Sequence, residues 1–294
     1  MVIKSILFLI VGAIALIFLF SHSPQNDPAT HHHHCLETHS DFNLTKNIVC
    51  LFPEIDVDPT DQYVSVHELT QWKLHHLQTK KFHRSKEEMI IYDKNLDGFV
   101  SFTEFENHLP TPPQYTDGDS FAYDMRVLEE EHFNASDTDG DGRLNLPEFH
   151  DFLHPADSNN PKLQQWLCRE EVWERDTDRD GKVSYIEFVN GLFVSIRSYD
   201  EESNGYSHHS DDSKNAYAKV VFSQLDKDRD GYLSAIELLP IIGKVHPSWQ
   251  YYARKQAEYF GSRAQVGKYG RLNLNEMIEN ADILYAAIFR GDFY

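Results

Sequence analysis

A twelve-residue pattern recurs four times between residues 93 and 237, and no other feature of the chain constrains its fold as much. The first copy reads Asp93-Lys-Asn95-Leu-Asp97-Gly98-Phe99-Val100-Ser101-Phe-Thr-Glu104. The second has Asp137, Asp139, Asp141, Gly142, Arg143, Leu144, Asn145 and Glu148 at the same places. The third has Asp176, Asp178, Asp180, Gly181, Lys182, Val183, Ser184 and Glu187. The fourth has Asp226, Asp228, Asp230, Gly231, Tyr232, Leu233, Ser234 and Glu237. Acidic turns that merely solvate a surface have no reason to repeat a sixth-place glycine and a twelfth-place glutamate.

The spacing suits one ion. Calcium takes six to eight hard oxygens in a loose shell. Places one, three and five supply short side-chain oxygens. Place seven supplies a main-chain carbonyl, so Phe99, Arg143, Lys182 and Tyr232 need no common chemistry. Place nine acts through water, and the twelfth-place glutamate reaches back with both oxygens. The sixth-place glycine permits the positive-φ turn around the ion. The aliphatic eighth place pairs with its twin in a neighbouring loop. About four calcium ions per chain are expected, on the twenty residues at places one, three, five, seven and twelve.

Helices are expected to flank the loops. Leu163, Trp166, Leu167 and Trp173 precede the third copy at helical spacing, and Tyr217, Val221 and Leu225 step by four before the last. Pro147 fits the first turn of an exiting helix. The fold class is therefore all-α, an array of helix-loop-helix hands.

Two degenerate copies frame the intact four. Tyr63-Val-Ser-Val-His-Glu68 matches a second half, but counting back from Glu68 puts Val57 and Pro59 at places one and three and Gln62 at the glycine place. Asp56 and Asp58 then fall out of register. Gly270-Arg-Leu-Asn-Leu-Asn-Glu276 follows a first half, Gln265, Gly267 and Tyr269, without a carboxylate. Both read as folded hands that bind calcium poorly or not at all.

The six loops start at 57, 93, 137, 176, 226 and 265, so the intervals alternate short and long. The long gaps hold breakers, Leu109-Pro-Thr-Pro-Pro113 and the polar stretch 200–213. This spacing predicts consecutive pairs: first with second over 51–110, third with fourth over 119–197, fifth with sixth over 214–290.

Ahead of the hands lies a different kind of segment. Lys4 precedes an apolar run from Ile6 to Phe20, within a leader at 1–23. The run serves as an uncleaved signal anchor or as a signal peptide; its length and the lack of an obvious cleavage site favour the anchor. With Lys4 on the near side, the N-terminus is expected in the cytosol and the rest in the lumen. Residues 24–50, with Pro24, Pro28 and the His31–His34 run, read as a flexible tether. Asn43-Leu-Thr45 and Asn134-Ala-Ser136 are glycosylation sequons. A Cys35–Cys50 bridge suits an oxidising lumen and would leave Cys168 free and buried.

The formal net charge of −20 argues against nucleic acid, and no basic stripe offsets it. The intact loops account for most of it, with three ligand carboxylates in the first and four in each of the others. No HExxH pair, nucleophile motif or phosphate loop accompanies the 17 histidines, so no enzyme is expected.

Six hands behind a secretory leader resemble the reticulocalbin and calumenin family of lumenal calcium-binding proteins. Lys244-Val-His-Pro-Ser248, Tyr251-Tyr-Ala-Arg254, Met277-Ile-Glu-Asn280 and Tyr285-Ala-Ala-Ile-Phe289 look like the last hand of its plant members. The resemblance covers roughly residues 50 to 290. It implies a calcium buffer or calcium-dependent binder of client proteins in the endoplasmic reticulum or later secretory pathway. The family's acids in the last loop are missing here, and Gly291-Asp-Phe-Tyr294 stands where its His-Asp-Glu-Leu-like retrieval tail would be. Retention by an anchor, or onward travel, is expected instead. The alternative is a calmodulin-like sensor with a target groove; only 4 methionines argue against it.

Overall fold

The computed structural model describes residues 44–108, 120–204, 211–264 and 270–289. The leader, most of the tether, Cys35, Asn43, the Pro110–Pro113 run, Gln265–Tyr269 and Gly291–Tyr294 lie outside them. Among the described residues no helix is long and apolar enough to cross a membrane.

What is described is helical, as the apolar spacing requires. Helix α1 (Leu44–Ile55) leads through loop 1 and β1 (Val64–Ser65) into α2 (Val66–Tyr92). Loop 2 carries β2 (Val100–Ser101) and exits through α3 (Phe102–Glu106). Helix α4 (Ser120–Ser136) enters loop 3, with β3 (Arg143–Leu144) and exit helix α5 (Leu146–Leu153). Helix α6 (Pro161–Arg175) enters loop 4, with β4 (Val183–Ser184), α7 (Tyr185–Asn190) and α8 (Leu192–Asn204). Helix α9 (Asp211–Leu225) enters loop 5, with β5 (Tyr232–Leu233), α10 (Ala235–Leu238) and α11 (Ile242–Val245). Helix α12 (Trp249–Arg263) enters loop 6, with β6 (Arg271–Leu272), α13 (Leu274–Glu279) and α14 (Ala281–Phe289). Pro147 sits in the first turn of α5, where its missing N–H costs nothing.

The hands pair, but not in consecutive order. The two-residue strands form three antiparallel ribbons: β1 with β6, β2 with β3, β4 with β5. Eighth-place residues face each other in all three, Val64 with Leu272, Val100 with Leu144 and Val183 with Leu233. Hand 1 therefore pairs with hand 6, hand 2 with hand 3, and hand 4 with hand 5. The pairs expected over 51–110, 119–197 and 214–290 are corrected accordingly.

The reason is the length of α2. Its 27 residues span about 40 Å at 1.5 Å per residue. Loops 1 and 2 sit at opposite ends of one rod and cannot touch. The short interval between them records an unbroken helix.

Each pair has its own core. Ile48, Leu51 and Ile55 of α1 pack with Ala257 and Phe260 of α12, Leu272 and Met277. Met89, Val100, Phe105, Phe133, Leu144, Phe149 and Phe152 fill the second pair. Leu163, Trp166, Leu167, Val183, Phe188, Phe222 and Leu233 belong to the third. Trp173 is only partly buried, and its expected place on the core face passes to Val172, 7% exposed.

Aromatic contacts join the pairs. Within the second pair, Ser85 of α2 lies 2.8 Å from His150 of α5. Trp249, at the start of α12, packs edge-on against His154 and donates its main-chain N–H to Asp157 at 2.6 Å. His132 stacks on Trp166 with ring centroids 3.6 Å apart. Burial pushes its pKa down to about 3, so it sits in the interior as a neutral ring.

Cys50 is disulfide-bonded, though its expected partner lies outside the described residues. Cys168 is free and buried, as expected. Asn134 is exposed in the last turn of α4, while Ser136 of the same sequon is buried and donates its hydroxyl to the His132 carbonyl at 3.0 Å.

Candidate metal centres

Each intact loop starts where its entering helix stops. The first-place aspartate donates its main-chain N–H to the carbonyl four residues back: Asp93 to Met89, Asp137 to Phe133, Asp176 to Val172 and Asp226 to Phe222. Its carboxylate accepts the N–H of the sixth-place glycine, at 2.8 Å from Gly98 and Gly142, 2.7 Å from Gly181 and 3.1 Å from Gly231. Those glycines have φ between +82° and +86°, where a Cβ crowds the following carbonyl.

The fifth-place aspartate accepts the N–H of the seventh residue in every loop, at 2.8 to 2.9 Å. The twelfth-place glutamate faces back across the loop. One oxygen of Glu104 accepts from the N–H groups of Lys94 and Asn95, the other from Ser101. Glu148 does the same with Thr138, Asp139 and Asn145, and Glu237 with Lys227, Asp228 and Ser234. Glu187 accepts from Thr177 and Ser184. The ninth-place residue caps the exiting helix in return. One local motif therefore both starts a helix and aims a carboxylate into the loop.

These contacts shape the charge. Burial pushes Glu187 upward, but hydrogen bonds from Thr177 and Ser184 outweigh it and bring the carboxyl down to about 2. Hydrogen bonds from Ser101 hold Glu104 below its ordinary range. Asp178 moves the other way, raised by desolvation and by the neighbouring carboxylates of Asp180, Glu187 and Asp176. The loops hold like charges that repel.

Among the described residues, three groups of oxygens lie within 4.8 Å of one another: Asp137, Asp139 and Asp141; Asp176, Asp178 and Asp180; Asp226, Asp228 and Glu237. Asp226 Oδ1 is buried without a hydrogen-bond partner, a deficit that a hard cation would make good. Every side-chain donor at these places is oxygen, which fits calcium rather than a softer metal. In loop 2, Asn95 takes the third place and its carbonyl oxygen accepts from the Asp97 N–H at 2.8 Å.

Loop 1 departs from the sequence count. Asp56, not Val57, follows the helix: its N–H bonds to the Phe52 carbonyl at 2.9 Å, and it is 5% exposed. Its carboxylate accepts from Gln62 at 2.9 Å, and Gln62 holds the positive φ, 67°, of the glycine place. Tyr63 donates to Asp61 at 3.1 Å, as the seventh place does to the fifth elsewhere. Glu68 accepts from Val57, Asp58 and Ser65. Asp56, Asp61 and Glu68 thus occupy places one, five and twelve of a loop with one extra residue between places three and five. Counting back from Glu68 hid this; counting forward from the end of α1 would have found it. The insertion has a cost. Asp61 donates its N–H to Asp56 rather than to the third place, and no three carboxylates here gather as they do in loops 3, 4 and 5.

Comparison with known proteins agrees with this geometry. A family model described as an EF-hand domain pair matches residues 131–154, and one described as EF hand matches 218–239. Reticulocalbin-2 of Crotalus adamanteus is 28% identical over 247 residues, covering 81% of this chain and 76% of that protein. Reticulocalbin-2 of Mus musculus is 26% identical over 247 residues, 81% of this chain and 72% of its own. The calcium-binding protein LPS1-alpha of Lytechinus pictus is 26% identical over 192 residues, 65% of this chain and 53% of its own. With carboxylate-bearing helix-loop-helix hands on the one side and these relatives on the other, the chain carries EF hands and is similar to the reticulocalbins over most of its length.

Proposed function

We propose that the protein is a non-enzymatic calcium buffer of the secretory lumen, with four principal sites in loops 2 to 5. The oxygen groups of loops 3, 4 and 5 carry this reading. Side-chain ligands are Asp93, Asn95, Asp97 and Glu104; Asp137, Asp139, Asp141 and Glu148; Asp176, Asp178, Asp180 and Glu187; Asp226, Asp228, Asp230 and Glu237. Main-chain carbonyls of Phe99, Arg143, Lys182 and Tyr232 complete them. Loop 1 is a weaker site because of its inserted residue. A buffer is favoured over a sensor because, among the described side chains, Met89 and Met277 are consumed in the pair cores, 7% and 0% exposed. Calorimetric titration of the calcium-free protein is expected to show saturable heat with calcium and not with equal magnesium. The smaller ion demands a tighter octahedron and gives up its water reluctantly. Absence of saturable calcium binding would refute the reading.

Plant-type membership is supported by the motifs around Lys244–Ser248 and Met277–Asn280. The lumenal placement rests on the apolar run Ile6–Phe20, the flanking Lys4 and the disulfide at Cys50. The reading is a single-pass anchor with the hands in the lumen, where client proteins are available and the Asn43 and Asn134 sequons can be modified. Protease added to sealed microsomes should spare everything beyond residue 50; digestion of that part would reverse the orientation.

A further inference from the structure

The seventh places of the six loops fall into two chemical kinds, and the pairing sorts them. One loop of each pair carries an aromatic residue: Tyr63 in loop 1, Phe99 in loop 2, Tyr232 in loop 5. The other carries a base: Arg271, Arg143 and Lys182. In all three pairs the base reaches across the ribbon to the fifth-place aspartate of the partner loop. Arg143 lies 3.4 Å from Asp97, Lys182 pairs with Asp230, and Arg271 pairs with Asp61. Two of the bases also lie over the partner's aromatic ring, Arg143 at 4.5 Å from the Phe99 centroid and Lys182 at 5.9 Å from that of Tyr232. Arg143 has a second, looser contact with Asp141 of its own loop at 3.5 Å.

We propose that these cross-ribbon bases are brakes: each lowers the calcium affinity of the partner loop by holding that loop's fifth-place carboxylate. The inference rests on calcium binding in these loops. It divides the four principal sites into two classes. Loops 2 and 5 have a ligand held by a partner base, while loops 3 and 4 supply the base.

The physics has one sign. With the loop empty, the base offsets the repulsion among crowded carboxylates. When calcium enters, the fifth-place carboxylate turns its oxygen to the ion. The base then either loses its partner or remains as a positive charge beside a doubly positive ion. Both favour the empty loop. A unit charge about 8 Å from a divalent ion at the dielectric of water costs roughly fivefold in affinity. The seventh residue serves its own loop through its main-chain carbonyl, so replacing its side chain leaves that ligand in place.

The test isolates one site. In the full chain, Glu104, Glu148 and Glu187 are changed to glutamine, leaving loop 5 as the only principal site. Calcium is then titrated calorimetrically against this protein and against the same protein carrying Lys182→Gln or Lys182→Glu. Lys182→Gln is expected to tighten loop 5 about three- to tenfold, and Lys182→Glu to tighten it further, with the stoichiometry unchanged. The parent should also lose its affinity difference from Lys182→Gln as salt is raised toward 1 M, where charges beyond about 3 Å are screened. The same comparison with Arg143→Gln and loop 2 as the remaining site gives an independent result. Unchanged or weaker binding in both loops overturns the proposal while leaving the calcium reading intact. A parent that binds no calcium in either loop overturns both.

Discussion

Removing calcium is expected to lower the melting temperature by roughly 20 °C or more. A ligand that binds only the native form adds about 2.7 kcal/mol per site at a hundred times its dissociation constant. Two principal sites in one pair add about 5 kcal/mol, and one kcal/mol moves a domain of this size by about 4 to 8 °C. The pairing decides where the loss appears. Loops 3 and 4 lie in different units, so the effect is shared between hands 2–3 and hands 4–5 rather than concentrated in 119–197. Hydrogen exchange should show residues 93–153 and 176–239 losing protection together when calcium is chelated. The pair of hands 1 and 6 has a core of its own in Ile48, Leu51, Ile55, Phe260 and Met277, and only the weaker loop 1 to depend on metal. Helices α1 and α12 should therefore change less. Equal protection with and without calcium would identify a preformed, rigid buffer and contradict this account.

The chemistry of the loops was legible because it is local. A run of oxygen-bearing side chains, a positive-φ turn and a helix cap all lie within twelve residues, so spacing alone carries them. Pairing is a property of distance in space. The alternation of short and long intervals looked like a pairing code, yet Val66–Tyr92 contains neither glycine nor proline. An uninterrupted stretch of that length is a rod, and a rod separates its ends. The partner of hand 1 lies some two hundred residues away, and nothing local announces it. Loop 1 shows a subtler limit. A single inserted residue moves Asp56 and Asp58 out of a count made from Glu68, although Asp56 sits where the entering helix ends. The cross-ribbon bases are invisible without the ribbon, since Lys182 and Asp230 are neighbours only once β4 and β5 have met.

Replacing a twelfth-place glutamate by glutamine is expected to weaken its site on the order of a hundredfold or more, because affinity follows ligand charge count and geometry. Glutamate gives the ion two anionic oxygens; glutamine gives one neutral oxygen. The change should not unfold the calcium-free protein. Glu187 also closes a capping box with Ser184, and glutamine serves at that helix position as well as glutamate does. Far-UV circular dichroism of calcium-free Glu187→Gln should therefore match the parent, while calorimetry shows one site fewer. A variant that has lost its helix content instead would mean that the carboxylate is structural first and a ligand second.

The most direct measurement counts ions. Native mass spectrometry of the intact protein, equilibrated with calcium and freed of loosely held metal, reads the number retained per chain. Four are predicted, falling to three with each of Glu104→Gln, Glu148→Gln, Glu187→Gln and Glu237→Gln. Six equally retained ions, or a count that these substitutions leave unchanged, would contradict the assignment of the principal sites to loops 2 to 5.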